Sequence, residues 1–600
     1  MRRMRKQMSV PCDQQIKGGG KTMENVNIKI DGIALSVPKD YTILQAARSA
    51  NINIPTLCYL EGLNKIGSCR LCVVEIKGAR SLQASCVYPV SEGMEVYTNT
   101  PNVRRARKAN LELILSNHDR SCLTCVRNRN CELQKLSEEF GITEIKFAGE
   151  QDKKHPIDDA STSIVRDNNK CVLCRRCVAA CQNQAVSVIS AKERGFHTSI
   201  GCAFEKSLSE VACIYCGQCM LACPTGALHE KDSIAQVQAA LDGPEKHVVV
   251  QTAPAVRAAL GEEFGLPMGT PVTGKMVAAL KRLGFDKVFD TDTGADLTIM
   301  EEGTEFIERF TKQENLPLIT SCSPGWVKFC EHNFPDMLNH LSTAKSPMEM
   351  FGAVLKSYYA DKNSIDKKSI YSVAVMPCTS KKYEAQRPEH STSGGQDIDA
   401  SLTTRELARM IKQAGIKFTE LPDEEFDVPF GSATGAGVIF GATGGVMEAA
   451  IRTVYEILEG KPLEKLEIEP IRGVEGVKEA TLEICGKPVR IAVCHGTKNA
   501  KAIMERVQNG EKYDFIEIMA CPGGCVNGGG QPIVSAQDRI GRDLRVERAK
   551  ALYQEDTNAA IRKSHENPVI QKLYEEFLEK PCSHKAHELL HTHYTPREKY

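Results

Sequence analysis

The chain has no surplus of charge of either sign: 76 lysines and arginines offset 76 aspartates and glutamates over 600 residues. Such a surface draws in neither nucleic acid nor anionic lipid through an overall field. No apolar run approaches the ~18 residues that cross a bilayer. The basic start MRRMRKQ runs into the polar SVPCDQQIKGGGKT with no hydrophobic signal core. Also missing are a G-x-G-x-x-G fingerprint after a strand and a Walker loop, so a nucleotide cofactor would have to be bound by a partner subunit. These absences point to a cytoplasmic protein with no nucleic-acid and no membrane partner. With 42% hydrophobic and 25% charged residues, it is long enough for one large core and several small modules.

What the chain has in excess is cysteine, 25 residues, many of them in C-x2-C steps rather than scattered as in a disulfide scaffold. Metal ligation is the chemistry this favours. Residues 1–22 read as a disordered leader, with Met8 and Met23 as alternative starts. Cys12, in that leader, and Cys202 fit no pattern. From Val26, NIKIDGIALSV alternates around the hairpin pair Asp31-Gly32, and ILQAARSAN reads as a helix, the opening of a β-grasp module. Cys58, Cys69, Cys72 and Cys86 follow as C-x10-C-x2-C-x13-C, suited to wrapping one 2Fe-2S cluster. The pattern resembles the ferredoxin module at the front of the large iron–sulfur subunit of complex I.

A helix over 103–117 carries Arg104, Arg105, Arg107 and Lys108 outward on a solvated face. Then His118, Cys122, Cys125 and Cys131 can fill the corners of a 4Fe-4S cubane, although the same donors also make a zinc site. Two runs of C-x2-C-x2-C-x3-C come next, the signature of a bacterial ferredoxin with two 4Fe-4S clusters. In that signature the fourth cysteine of each run ligates the other cluster. One cubane therefore takes Cys171, Cys174, Cys177 and Cys223, and the other takes Cys213, Cys216, Cys219 and Cys181. Four accessory clusters in a row form a conduit for single electrons, and a conduit needs a redox centre at one end.

After Gly243 the composition turns to apolar, β-branched segments alternating with helical ones: HVVVQTA, KVFDT, PLITS, SVAVMPC, GVIFGATG, VRIAVCHG and FIEIMACPGG. This is α/β patterning with buried parallel strands, whose carboxyl ends carry ligand sites. Three loops at such ends read TSCSPGW (320–326), MPCTSKK (376–382) and FIEIMACPGGCVNGGG (515–530). Taken in order, they resemble the three signature loops of iron-only hydrogenases, and the resemblance runs from about Met23 to the C-terminus.

The resemblance implies an enzyme that interconverts H2 with protons and electrons at an H-cluster, a 4Fe-4S cubane bridged to a two-iron subsite with CO, cyanide and a dithiolate. It implies Cys378 and Cys521 as cubane ligands, Cys525 as the bridging thiolate, and Lys381 as donor to an iron-bound cyanide. Met376, Met519 and Pro254 would pack beside the subsite, and the glycines around Cys525 would let backbone approach it. Glu302, Glu305, Arg309 and Ser342 would form a proton path ending at Cys322. One position departs from the family: its first loop reads Cys-Cys before Pro-Gly-Trp, and this chain has Cys322-Ser323. Either Ser323 ligates the cubane through oxygen, or Cys322 supplies the thiolate, or the cluster is weakened there.

Cys330, Cys485 and Cys494 lie in apolar segments and read as packed thiols. His584, His587 and His591 recur at i, i+3 and i+7, as metal ligands on one helical face or as a plain amphipathic surface. The expected architecture is α+β and multidomain: a 2Fe-2S β-grasp domain over 23–100, a 4Fe-4S module with one histidine and three cysteine ligands over 101–145, a two-cluster ferredoxin domain over 160–235 and an α/β catalytic domain over 244–600. Ferredoxin, or a flavin- and NAD(P)-binding subunit, is the expected electron partner. Two other readings compete: a non-catalytic or sensory hydrogenase-like protein, and an electron-transfer subunit of a larger dehydrogenase. The ligand sets predict a fully loaded chain with one 2Fe-2S cluster, three accessory 4Fe-4S clusters and the H-cluster. Iron analysis well below that total, or zinc bound at His118, contradicts them.

Overall fold

The computed structural model describes residues 24–149, 154–392, 394–431 and 433–599. The expected leader, with Cys12, lies outside them. The chain forms two compact units, one of residues 24–56 with 65–111, the other of 57–64 with 112–599. It is an α+β protein with iron–sulfur modules ahead of an α/β catalytic half.

In the smaller unit, Val26, Ile28 and Ile30 alternate inward along Asn25–Ile30, the period-two pattern of a half-buried strand. Asp31 and Gly32, at φ +50° and +86°, turn the chain into Ile33–Pro38. Five strands then order as Ile33–Pro38, Asn25–Ile30, Glu95–Tyr97, Val73–Ile76 and Gln83–Ala84. Thr42 and Gln45 close a capping box on helix Ile43–Ser49, so the helix expected there starts on a satisfied amide. The helix expected over 103–117 runs Pro101–Ser116. Its Arg107 points inward, not outward as expected: it is buried and donates twice to the Val73 carbonyl, at 3.1 and 2.8 Å. A long, planar cation can reach an otherwise unpaired strand carbonyl where a charge count sees only a solvated face.

In the larger unit two four-stranded sheets carry the catalytic half. The first is wholly parallel, ordered Lys287–Asp290, His247–Thr252, Ile370–Met376 and Ala400–Thr403. The second runs Leu318–Ile319, Phe515–Met519 and Lys487–His495 in parallel, with Val477–Ile484 antiparallel at its edge. The three cysteine loops leave the carboxyl ends of Leu318–Ile319, Ile370–Met376 and Phe515–Met519, as the alternation predicts. Segment GVIFGATG is not a strand. It is helical over Gly435–Val438 and Ile439–Gly441, opened by Thr434, whose side chain accepts from Gly437 N. The reason is packing: a Cβ at Gly437 would stand 2.6 Å from the Asp292 carbonyl, and one at Gly441 2.5 Å from Leu552. Cys330 and Cys494 are buried as expected, but Cys485 is exposed. It and Gly486 form the two-residue turn of the edge hairpin, both at positive φ.

Helix Thr291–Lys312 begins where Asp290 caps it, accepting from Asp292 N at 3.1 Å. Beside it the stretch Leu341–Ser346 is anchored by Lys345, which is fully buried with Asp397 at 3.0 Å. Removing one member of a buried ion pair strands the other charge. Lys345→Met is expected to destabilise this unit by ~3–5 kcal/mol, read as an earlier denaturant midpoint. A midpoint equal to wild type would show that the pair contributes nothing.

Candidate functional site

At the strand ends the chain encloses one cavity lined by Cys322, Ser323, Cys378, Lys381, Cys521 and Cys525, with Pro254, Met376 and Met519 among its walls. All nine of these sequence-predicted residues meet there. Burial pushes the Cys378 and Cys521 thiols up, and Cys525 up to about 12. Thiols held protonated by burial become strong ligands when soft iron replaces the proton. The donor set therefore fits a cluster bound through Cys378, Cys521 and Cys525.

The two residues of the departing loop face different neighbours. Burial raises the Cys322 thiol well above its usual value, and Glu302, Cys525 and Lys381 are the charged groups that act on it next. Ser323 precedes helix Pro324–Asn333, and its hydroxyl accepts from Ala520 N at 3.2 Å, the residue before Cys521. Lys381 donates to Glu384 at 2.5 Å and to the Cys322 carbonyl at 3.4 Å. Burial works against its charge, yet Glu384 holds its pKa above the ordinary value. Glu384 went unnoticed in the sequence, although its i, i+3 spacing from Lys381 is the signal that would have found it.

Glu302 and Glu305 both lie on helix Thr291–Lys312, but not as surface carboxylates. Glu302 is fully buried and neither of its oxygens has a hydrogen-bond partner, so burial first, and Glu305 next, raise it to about 8. Ser342 donates to Glu305 at 2.8 Å, and Arg309 donates to the other oxygen of Glu305 at 2.6 Å. Ser342, Glu305 and Arg309 are thus hydrogen-bonded in a row, with Glu305 and Arg309 half-buried, and the buried Glu302 stands between that row and Cys322 as a charge acting on the thiol.

The accessory ligands gather in the same way. Cys171, Cys174, Cys177 and Cys223 line one cavity, the exchanged fourth cysteine included. Cys219 is raised by burial and then by Cys216, Cys213 and Cys181, its three expected companions. His118, Cys122, Cys125 and Cys131 share another cavity. There His118 Nδ1 is buried with no hydrogen-bond partner, and burial lowers this imidazole to about 4. A neutral ring with an orphaned nitrogen is what a metal ligand requires. In the smaller unit Cys72 is lowered to about 7 by a hydrogen bond from Cys86. Cys58 belongs to the larger unit, where Asn64 joins its carbonyl, at 2.7 Å, to that of Cys174, at 3.0 Å.

The ferredoxin loops lie directly on the catalytic loops. Thr379 and Ser380 donate to the carbonyls of Tyr215 and Ile214, each at 2.7 Å. Lys328 donates to Cys213 O at 2.7 Å and Gln184 to Ala520 O at 2.7 Å. Of the glycines around Cys525, Gly524 and Gly528 line the cavity. Gly528 and Gly529 also admit neighbouring backbone: a Cβ at Gly528 would collide with Pro377 O, and one at Gly529 with Cys216 O.

Residues 246–529 match the iron only hydrogenase large subunit, C-terminal domain, and 542–597 match the iron hydrogenase small subunit. Ahead of them, 23–101 match a 2Fe-2S iron-sulfur cluster binding domain, 107–146 the NADH-ubiquinone oxidoreductase-G iron-sulfur binding region, and 170–227 a 4Fe-4S dicluster domain. The chain is 51% identical to the NADP-reducing hydrogenase subunit HndD of Solidesulfovibrio fructosivorans, over 96% of this chain and 100% of that one. It is 44% identical to iron hydrogenase 1 of Clostridium pasteurianum, over 94% and 99%. Among solved structures, a variant of the hydrogenase HydA1 from Chlamydomonas reinhardtii superposes with TM-score 0.54 at 43% identity, over 61% of this chain and 99% of that one. Gly529→Ala is expected to force the Cys216 and Cys525 loops apart and cost ~1–3 kcal/mol, as overpacking does. A thermal midpoint equal to wild type would disprove the tight contact.

Proposed function

The chain belongs to the iron-only hydrogenase family, and from that premise we propose how its own residues divide the work and where its electrons go. It is an oxidoreductase acting on H2, with iron–sulfur domains that relay electrons. When bound, the H-cluster supplies the centre at which H2 and protons interconvert. The observation that carries the assignment is the single cavity in which Cys378, Cys521 and Cys525 meet Lys381. In this reading Cys378, Cys521 and Cys525 would hold the cluster as thiolates, and Lys381, kept charged by Glu384, would donate to it. Met376, Met519 and Pro254 exclude water around it.

Protons pass along Glu305, Ser342 and Glu302 to Cys322, with Arg309 holding Glu305. Glu302 suits this role because burial keeps its carboxyl neutral up to about pH 8, so it can donate at neutral pH and recharge from Ser342. In this reading Cys322 is the last group of the file, with Glu302 and Lys381 acting on its thiol. Ser323, held against Ala520, completes the cubane through its oxygen. A harder donor shifts the cluster's potential.

Electrons leave through the accessory clusters to a flavin- and NAD(P)-binding partner subunit or to ferredoxin. Supporting a partner subunit, the 51% identical relative is a subunit of an NADP-reducing hydrogenase, and the sequence carries no nucleotide fingerprint of its own. No helix among the described residues is long and apolar enough to cross a membrane, which suits a cytoplasmic complex.

Cys322→Ala is expected to cut turnover by ~10²–10⁴ while the infrared bands of bound CO and cyanide remain. Loss of those bands together with iron would make Cys322 a ligand, and Ser323→Cys with unchanged potential and activity would remove Ser323 from the cluster. A chain that never shows these bands after maturation is no hydrogenase, whatever its loops. For the partner, the isolated chain is expected to evolve H2 from a reduced low-potential dye and not from NADH or NADPH. Direct oxidation of either by the lone chain would refute the partner assignment.

A further inference from the structure

We propose that Cys582, His587 and His591 form a binding site for a divalent cation of the zinc type, beside Glu301 of helix Thr291–Lys312. Each of the three side chains offers one ligand atom, and these atoms lie within 4.8 Å of one another. The sequence pointed instead to His584, His587 and His591 on one helical face. The helix runs only His584–Leu590, and His591 follows it in extended backbone, out of helical register, so Cys582 takes the place that His584 would have had.

The turn before this helix aims the thiol. Glu579 and Cys582 both sit at positive φ, +69° and +54°, a region that residues with side chains rarely enter. Cys582 is kept there by its own N–H, which donates to Glu301 Oε2 at 2.8 Å. Glu301 is fully buried; Tyr574 donates to its other oxygen at 2.5 Å, and His591 Nε2 lies 2.9 Å from Glu301 Oε2. A carboxylate gripping the far side of an imidazole is the usual outer support of a metal-bound histidine, fixing its ring and raising its basicity. The other nitrogen, His591 Nδ1, is 2.8 Å from Thr343 Oγ1. A cation replaces one of these two contacts and keeps the other as its brace.

The charge around the group favours a cation. Glu301, Glu305 and Glu308 act on both Cys582 and His587. Binding exchanges the thiol proton for the metal: the S–H bond breaks, a metal–sulfur bond forms, one proton is released and no electrons move. One thiolate and two imidazoles select zinc, or cobalt and nickel in its place, over the oxygen-seeking calcium and magnesium. The segment so fixed already touches the stretch that carries Ser342: Lys345 N donates to Leu590 O and Thr592 N to Thr343 O, both at 2.8 Å. A cation here ties the two ends of helix His584–Leu590 together beside that junction.

The test uses the full-length, cluster-loaded enzyme, kept anaerobic and given one equivalent of zinc chloride. Zinc-edge X-ray absorption is expected to show one sulfur and two nitrogen neighbours, with iron content unchanged and a higher melting temperature. His587 is exposed, so His587→Ala should leave the fold and the basal hydrogen evolution intact while weakening zinc binding ~100-fold or more, at least the loss seen when only an outer-shell partner is removed. Cys582→Ser should remove the sulfur signal. A spectrum with three sulfurs would put the zinc at His118 and its cysteines instead. That result, equal affinity in wild type and His587→Ala, or wild type that binds zinc no better than millimolar, overturns the proposal.

Discussion

Backbone carbonyls of the cysteine loops, gripped by side chains from neighbouring loops, hold the redox half and the catalytic half of the larger unit together. Thr379, Ser380, Lys328 and Gln184 each donate across that boundary. Gln218 adds a bond to Asn527 O at 2.9 Å, and Gly217 meets Gly529 with no room for a side chain on either. Such contacts cannot be made by apolar packing, because a loop wrapped around a cluster turns its carbonyls outward and leaves them needing donors. The same device recurs up the relay. Arg127 donates to Cys223 O, Glu132 N to Pro224 O, and Arg176 to Tyr59 O. One kind of bond thus joins successive cysteine loops within the larger unit.

Around the catalytic cavity the second organising theme is buried charge. Lys381 is paired with Glu384, Lys382 with Glu406, Arg387 with Glu331 and Lys345 with Asp397, nearly all out of contact with solvent. Breaking such a pair costs more than making it gains, so pairs of this kind are read best as positional restraints. They fix the loops that carry Cys378 and Ser342. Glu302 differs from these paired carboxylates: it is fully buried, no cation is bonded to it, and burial raises its carboxyl to about 8.

The ligands were legible because cluster binding is a local problem. A cubane suits thiolates at short, fixed chain spacings, so the runs from Cys171 to Cys223 declare themselves without any knowledge of the fold, whereas the distant loops at Cys322, Cys378 and Cys521 were recognised by their resemblance to a family. The strand ends that carry them were equally readable from continuous apolar runs, since a buried parallel strand has no polar face. GVIFGATG is the instructive failure. Its apolar run is helical because glycines at 437 and 441 must lie against other backbone and side chains, a demand set by partners more than a hundred residues away.

By itself, then, the sequence determined the iron–sulfur chemistry and the loops that line the central cavity, each carried by motifs of residues close in the chain. Tertiary structure alone decided which polar groups are buried and what faces them. Arg107 turns inward to a carbonyl, Glu302 loses every partner, the glycines after Cys525 seat a ferredoxin loop, and Cys582 joins two histidines. These outcomes depend on burial and on register between distant segments. Both are properties of the packed chain, in which removal from water makes an unpaired group costly and forces each side chain to the one partner within reach.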